Sequence, residues 1–250
     1  MKTDPLYSFE LERSLLLALA LFQSADETRV VLNATKFELR AIGGKHELTL
    51  IATDGKRLAT HTDEVLEVEL TDEMPEAADM VLDLKGVKKL PKIKGDTVVR
   101  VTVYEKHVVF SSGKFRYEAT PVTAAPFPEW RQAMPAGSPI PVADFPVNFA
   151  YLASFGQAAH LITEKRHVTL HAFGEGAAIG VTFPQYRQFR GVVMPIRLDD
   201  GADRKEGAQA DDDAYKTAKD SFAKKLEKNL RKEGHDVTVT ISTPTQTANA

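Results

Sequence analysis

A short strand, a helix and a run of strands recur along this chain. Repetition of one supersecondary unit means a fold assembled from equivalent modules, not one wound around a unique core. In the first copy, residues 9–11 read as a strand, and residues 12–24 carry leucines and alanines at the density and spacing of a buried helix. Strands follow at 29–32, 36–42 and 47–53, where β-branched and apolar residues alternate or cluster between the turn signals Asn33-Ala34 and Gly43-Gly44. The second copy runs from a strand at 79–84 through a helical stretch at 85–93 and a turn at Gly95-Asp96 to strands at 98–104, 107–111 and 115–120. The third has a strand at 141–144, a helix at 148–160 and strands at 167–173, 177–183 and 191–197.

A proline-rich stretch, 121–146, suits an extended connector better than a core element. It divides the chain into domains 1–126 and 127–250, an α+β architecture in two parts. Residues 199–213 are polar and acidic and read as a flexible loop. Residues 214–232 read as a helix with Tyr215, Ala218, Phe222, Leu226 and Leu230 along one face and a dense set of lysines elsewhere. A last strand is expected at 235–242 and disorder at 243–250.

Composition closes off several classes of function. The longest apolar run, 15–22, is far short of the about 20 residues that span a bilayer, so a cytoplasmic protein is expected. With no cysteine, the chain has no disulfide, thiolate metal site or cysteine nucleophile, and fits a reducing compartment. A net charge of −3 excludes a uniformly basic coat, so any nucleic-acid contact must rest on local clusters of lysine and arginine.

Catalytic motifs are equally scarce. His167 and His171 stand four apart, a zinc spacing on a helix, but the segment reads as a strand, where that spacing separates them widely. Asp54 and Asp63 suggest a carboxylate pair, yet Asp54 precedes Gly55 in a turn signal, where Asp bonds its own backbone. Gly174-Glu175-Gly176 is a hairpin signal, and no phosphate-binding loop, serine elbow or metalloprotease helix is present. We expect no enzyme, no cofactor and no metal.

Three segments carry a family resemblance. Residues 50–59, Leu-Ile-Ala-Thr-Asp-Gly-Lys-Arg-Leu-Ala, resemble an Ala-Thr-Asp-Gly-x-Arg-Leu-Ala strand and turn. Residues 127–131, Phe-Pro-Glu-Trp-Arg, followed by Met134-Pro135, are similar to a Phe-Pro-Asp-Tyr-Arg junction. Residues 192–198, Val-Val-Met-Pro-Ile-Arg-Leu, resemble a closing Val-Val-Met-Pro-Met-Arg-Leu run. In this order they are those of the bacterial DNA polymerase III beta subunit, the DNA sliding clamp. Domain 1–126 resembles that family's middle domain, and domain 127–250 resembles an abbreviated or divergent clamp domain, as in a shortened phage or mobile-element clamp.

The resemblance implies a processivity factor. Clamp rings are built from twelve modules, by two chains of three domains or three chains of two, so a two-domain chain is expected to close as a homotrimer. Its partners would be double-stranded DNA, a DNA polymerase and a clamp loader. DNA contact is assigned to Lys85, Lys88, Lys89, Lys92 and Lys94, on or beside the second helix, and to Lys224, Lys225 and Lys228 of the tail. A pocket for linear peptides is assigned to Thr53, Gly55, Lys56, Arg57, Leu58 and Pro128, and to Val192, Val193, Met194, Pro195, Ile196, Arg197 and Leu198. Leu58, Val193 and Met194 would form its floor, and Arg57 and Arg197 would meet peptide carbonyls or carboxylates. The competing reading is a clamp-shaped adaptor or inhibitor that binds proteins without encircling DNA.

Overall fold

The computed structural model of the chain describes residues 4–65, 74–87, 98–140, 146–174 and 176–196. These lie in one compact unit, Met1–Arg197. Eleven strands and two helices are described. They are β1 (Tyr7–Glu12), α1 (Arg13–Leu19), β2 (Thr35–Ile42), β3 (Lys45–Thr53), β4 (Arg57–Val65), β5 (Ala77–Leu82), β6 (Val98–Val103), β7 (Val108–Ser112), β8 (Phe115–Ala119), α2 (Phe149–Thr163), β9 (Thr169–His171), β10 (Ile179–Thr182) and β11 (Phe189–Val193).

The strands form two antiparallel sheets, one of four strands in the order β1-β6-β7-β8 and one of seven in the order β5-β2-β3-β4-β11-β10-β9. Period-two alternation aims the inner faces. In β1, Tyr7, Phe9 and Leu11 are buried while Glu10 and Glu12 face out; in β6, Val99, Val101 and Val103 are buried. Phe37 of β2 and Phe110 of β7, one from each sheet, meet edge-on at 6.3 Å between ring centroids. Each such aromatic contributes about 1.5–3 kcal/mol by leaving water. Helices α1 and α2 pack on each other. Phe22, just past α1, lies 4.6 Å from Phe155 of α2 and 6.2 Å from Phe189 of β11.

Local chemistry sets the helix ends. Asn148 caps α2 by accepting from the Ala150 N–H at 2.9 Å, and Glu164 closes it in the left-handed region. The helix expected at 12–24 stops at Leu19, because the N–H groups of Leu21 and Phe22 reach back only three residues, to the Ala18 and Leu19 carbonyls.

The strand expected at 29–32 is a turn. The Asp26 carboxylate accepts from the Thr28 N–H and hydroxyl at 3.0 and 2.7 Å, and the Arg29 carbonyl takes the N–H groups of both Leu32 and Asn33. An Asx turn therefore overrides the β-branched run. Residues 88–93, the turn at 95–96, the strand at 141–144 and everything expected beyond residue 196 lie outside the described residues. The connector runs between β8 and α2, and the seven-stranded sheet is continuous across it through the pairing of β4 with β11.

Candidate functional site

Three segments far apart in sequence meet on the outer face of β4 and β11. The first is the β3–β4 turn. The Asp54 carboxylate accepts from the N–H groups of Lys56 and Arg57 at 2.9 and 3.0 Å; the Thr53 hydroxyl donates to the Arg57 carbonyl at 2.8 Å and accepts from the Gly55 N–H at 3.1 Å. Gly55 sits at φ +86°, a conformation that L side chains rarely adopt, and a Cβ there would come within 3.3 Å of Arg29.

Arg57 is spent inside the fold. Its Nε donates to Asp54 at 2.9 Å, Nη2 to the Leu21 carbonyl at 3.0 Å, and Nη1 to the Ser154 hydroxyl of α2. The guanidinium lies 5.4 Å from the Phe22 ring centroid and 5.3 Å from that of Tyr151. The donors expected for a peptide carbonyl are thus taken up by a staple between turn and helices.

The second segment is the connector. Phe127 packs with Val31, Ile51, Leu58 and Val192, and Trp130–Ala133 forms a single 3-10 turn. That turn is pinned to the sheet by Glu38 of β2, only 2% exposed, whose carboxylate accepts from Trp130 Nε1 at 3.1 Å, Arg131 Nη2 at 2.7 Å and Lys36 Nζ at 2.7 Å. Burial pushes the Glu38 carboxyl up. The hydrogen bonds from Arg131, Lys36 and Trp130 outweigh that and hold it below the usual carboxylate range.

The third segment is β11. It pairs with β4 in the register Arg190 to Thr60, Gly191 to Ala59, Val192 to Leu58 and Val193 to Arg57, and the Met194 N–H extends the ladder to the Lys56 carbonyl at 2.9 Å. Pro195 brings no N–H, and the Ile196 N–H turns away to the Pro146 carbonyl at 2.8 Å.

These segments enclose a cavity of about 170 Å3. Of the expected residues, Thr53, Gly55, Lys56, Arg57, Leu58, Pro128, Val192 and Met194 line it. Val193 does not. It belongs to the floor expected from sequence, but strand alternation turns it into the core beneath, fully buried. Pro195 and Ile196 lie beyond the lining, and Arg197 and Leu198 are outside the described residues. Leu32, Glu129, Trp130 and Ala133 also line the cavity and were not anticipated. Trp130 and Glu129 stood inside the matched junction, whereas Leu32 was hidden in the segment expected as a strand.

Of the lysines assigned to DNA, Lys85 is the one among the described residues. Lys85 is exposed at a turn, its Nζ 3.9 Å from Asp83, while Lys88, Lys89, Lys92, Lys94, Lys224, Lys225 and Lys228 are outside the described residues. Within α1 and α2 the only lysine or arginine is Arg13. Among the described residues no group of three or more histidines, aspartates or glutamates is placed to hold a metal ion. His171 instead shares a 2.8 Å hydrogen bond with Thr182. No described helix is long and apolar enough to cross a membrane.

Residues 11–129 match the family model of the DNA polymerase III beta subunit, central domain. No curated protein sequence matches significantly. Among solved structures, a sliding clamp (DNA polymerase III subunit beta) from Bartonella birtlesii bound to griselimycin superposes with a TM-score of 0.58 at 18% identity, over 79% of this chain and 68% of that one. The clamp from Bacillus subtilis gives 0.56 at 15% identity, over 79% and 66%. The beta subunit from Borrelia burgdorferi, in complex with a natural product, gives 0.61 at 14% identity, over 79% and 65%. The chain thus spans about two thirds of the length of these clamps. The beta-clamp family is non-catalytic. Residues 11–129 thus match the central domain of the DNA polymerase III beta subunit, and the chain has the sliding-clamp fold.

Proposed function

We propose that this protein is a sliding clamp: an oligomeric ring, three chains of two domains, that encircles duplex DNA and tethers a polymerase and a clamp loader through linear peptides held in the β4–β11 pocket. The observation that carries the reading is the pocket itself. Four stretches separated by up to about 160 residues of chain converge on one apolar cavity, walled by Leu32, Leu58, Val192 and Met194 and edged by Lys56 and Glu129. A cavity of that size takes one or two side chains of an extended peptide, and a flexible Met suits several different ones. Lys85 and the lysines that follow it are the proposed DNA contacts, joined by Lys224, Lys225 and Lys228 of the tail.

One observation favours the second reading, a clamp-shaped adaptor that does not encircle DNA. Helix α2 has no lysine or arginine, and α1 only Arg13, so these helices offer little to phosphates. Solution mass from light scattering, with retention on circular against linearised duplex DNA, separates the two. A mass of three chains and slippage from linear DNA support the ring. A monomer that binds peptides and not DNA moves the assignment to the adaptor.

A further inference from the structure

Beside the apolar pocket, on the same strands, lies a second depression of about 190 Å3 lined by Thr60, Thr62, Trp130, Arg131, Met134 and Arg190. Trp130 is common to both cavities, so the two adjoin across its ring. The register explains the change of chemistry. Leu58 opposite Val192 gives an apolar step, and two residues along, Thr60 opposite Arg190 gives a polar, cationic one. Side chains two apart on a strand share a face and stand about 6.7 Å apart, one alternate step of an extended peptide.

The charged residues that line the depression are Arg131 and Arg190; Glu129, the nearest carboxylate in the turn, lines the adjoining pocket instead, and Glu38 pairs with Arg131 from beneath. Arg131 spends two nitrogens on Glu38 and keeps the rest of an exposed fork, its side chain 61% accessible. Arg190 is exposed and makes no ion pair or side-chain hydrogen bond among the described residues. The Thr60 hydroxyl donates to the Arg190 carbonyl at 3.4 Å and that of Thr62 pairs with Thr49 at 3.1 Å, so it is the two guanidinium groups, with Arg131 stacked 4.3 Å over Trp130, that offer a seat to a carboxylate.

We infer that the Arg131–Arg190 depression binds an acidic side chain of the same linear peptide whose apolar anchor fills the Leu58–Met194 pocket, so that the partner motif pairs a hydrophobic residue with a glutamate or aspartate at an alternate position. The inference rests on the peptide-pocket reading and adds to it the chemistry of the partner. The seat is too open and too near solvent for a tightly held inorganic anion, and its contiguity with an apolar pocket matches a peptide better than a nucleic-acid backbone, which has no apolar anchor.

The test uses the full chain and short fluorescein-labelled peptides with a leucine anchor and glutamate at alternate flanking positions, with glutamine in its place as control, read by anisotropy. One rim charge set of this kind gives about a fivefold preference for the acidic peptide. In R190Q the preference disappears and both peptides fall to the weaker affinity, while R190K restores part of it. Equal binding of the acidic and amide peptides by the wild type, with binding still abolished by M194E, overturns the acidic seat and leaves the pocket standing. Failure of every peptide, with no effect of M194E, overturns both. Displacement of the acidic peptide by duplex DNA from the wild type but not from R190Q reassigns the seat to phosphate and also overturns the proposal.

Discussion

His61 carries a pH dependence that is measurable without any ligand. It lies in β4, 3% exposed, stacked on Tyr186 at 5.6 Å between centroids and 12° between planes, with Nδ1 buried and unpartnered. Burial pushes its pKa down from 6.5 to about 4, opposed weakly by the Asp63 carboxylate. Between those two values the unfolded chain holds a proton that the folded chain refuses, so stability is lost as pH falls through 6.5 and the loss is complete near 4. The gap is worth about 3 kcal/mol. Asp63, Glu10, Glu12 and Glu64 line the cleft beside the ring, with Tyr186 from the β10–β11 loop, whose hydroxyl pKa is pushed up to about 12 by burial and by Glu12 and Asp63. The depressed carboxyls of Glu38, Asp79 and Asp26 also cost stability in acid, at lower pH. The informative quantity is therefore a difference. Urea unfolding of wild type and H61F, which keeps the stack and removes the orphan nitrogen, is followed from neutral pH to about pH 4. The wild type loses about 3 kcal/mol more than H61F over that range. Parallel curves for the two proteins refute a buried, neutral His61.

Three further outcomes follow from the joint between β4 and β11. A Cβ on Gly191 would lie 2.2 Å from the Leu58 carbonyl oxygen and 2.6 Å from the Phe155 ring, so G191A costs about 3 kcal/mol or more in thermal unfolding; a change within about 1 kcal/mol contradicts the packing. Met194, 42% exposed, and fully buried Val193 separate binding from folding. M194E lowers anchor-peptide affinity at least about tenfold with an unchanged melting temperature, whereas V193A loses about 2 kcal/mol of stability; both changing alike contradicts the alternation. Replacing Arg57 by Lys keeps the charge and removes the fork, so amides of 149–163 exchange faster with solvent water, and unaltered exchange means the staple carries no energy.

Much of this was legible in the sequence where the code is local. The β2, β3 and β6–β8 strands follow from alternation and turn residues, and α2 begins at the Asn148 cap. The turn after Asp26 was not legible, because a side-chain hydrogen bond outweighs a β-branched run and leaves no periodic trace. Val193 was misplaced for a related reason. A run of apolar residues has two faces, and only the register with β4 decides which points at the pocket. The Arg131–Arg190 depression was not legible, since Arg131 stood in the matched junction but Thr60 and Arg190 carry no motif, and only the β4–β11 pairing brings the three together.

The same geometry ties the pocket to the helices. Arg57 links the turn that walls the cavity to the end of α1, through the Leu21 carbonyl, and to α2, through Ser154. Gly191 lets α2 sit against β11 directly behind Val192, with Phe155 in the space that a side chain would occupy. A peptide that presses on Leu58 and Val192 therefore pushes on strands whose reverse face is the floor under α2, and close-packed interiors transmit such displacement instead of absorbing it. The pocket and the packing of α1 and α2 thus share a single layer of sheet, and a substitution in that layer is felt on both sides.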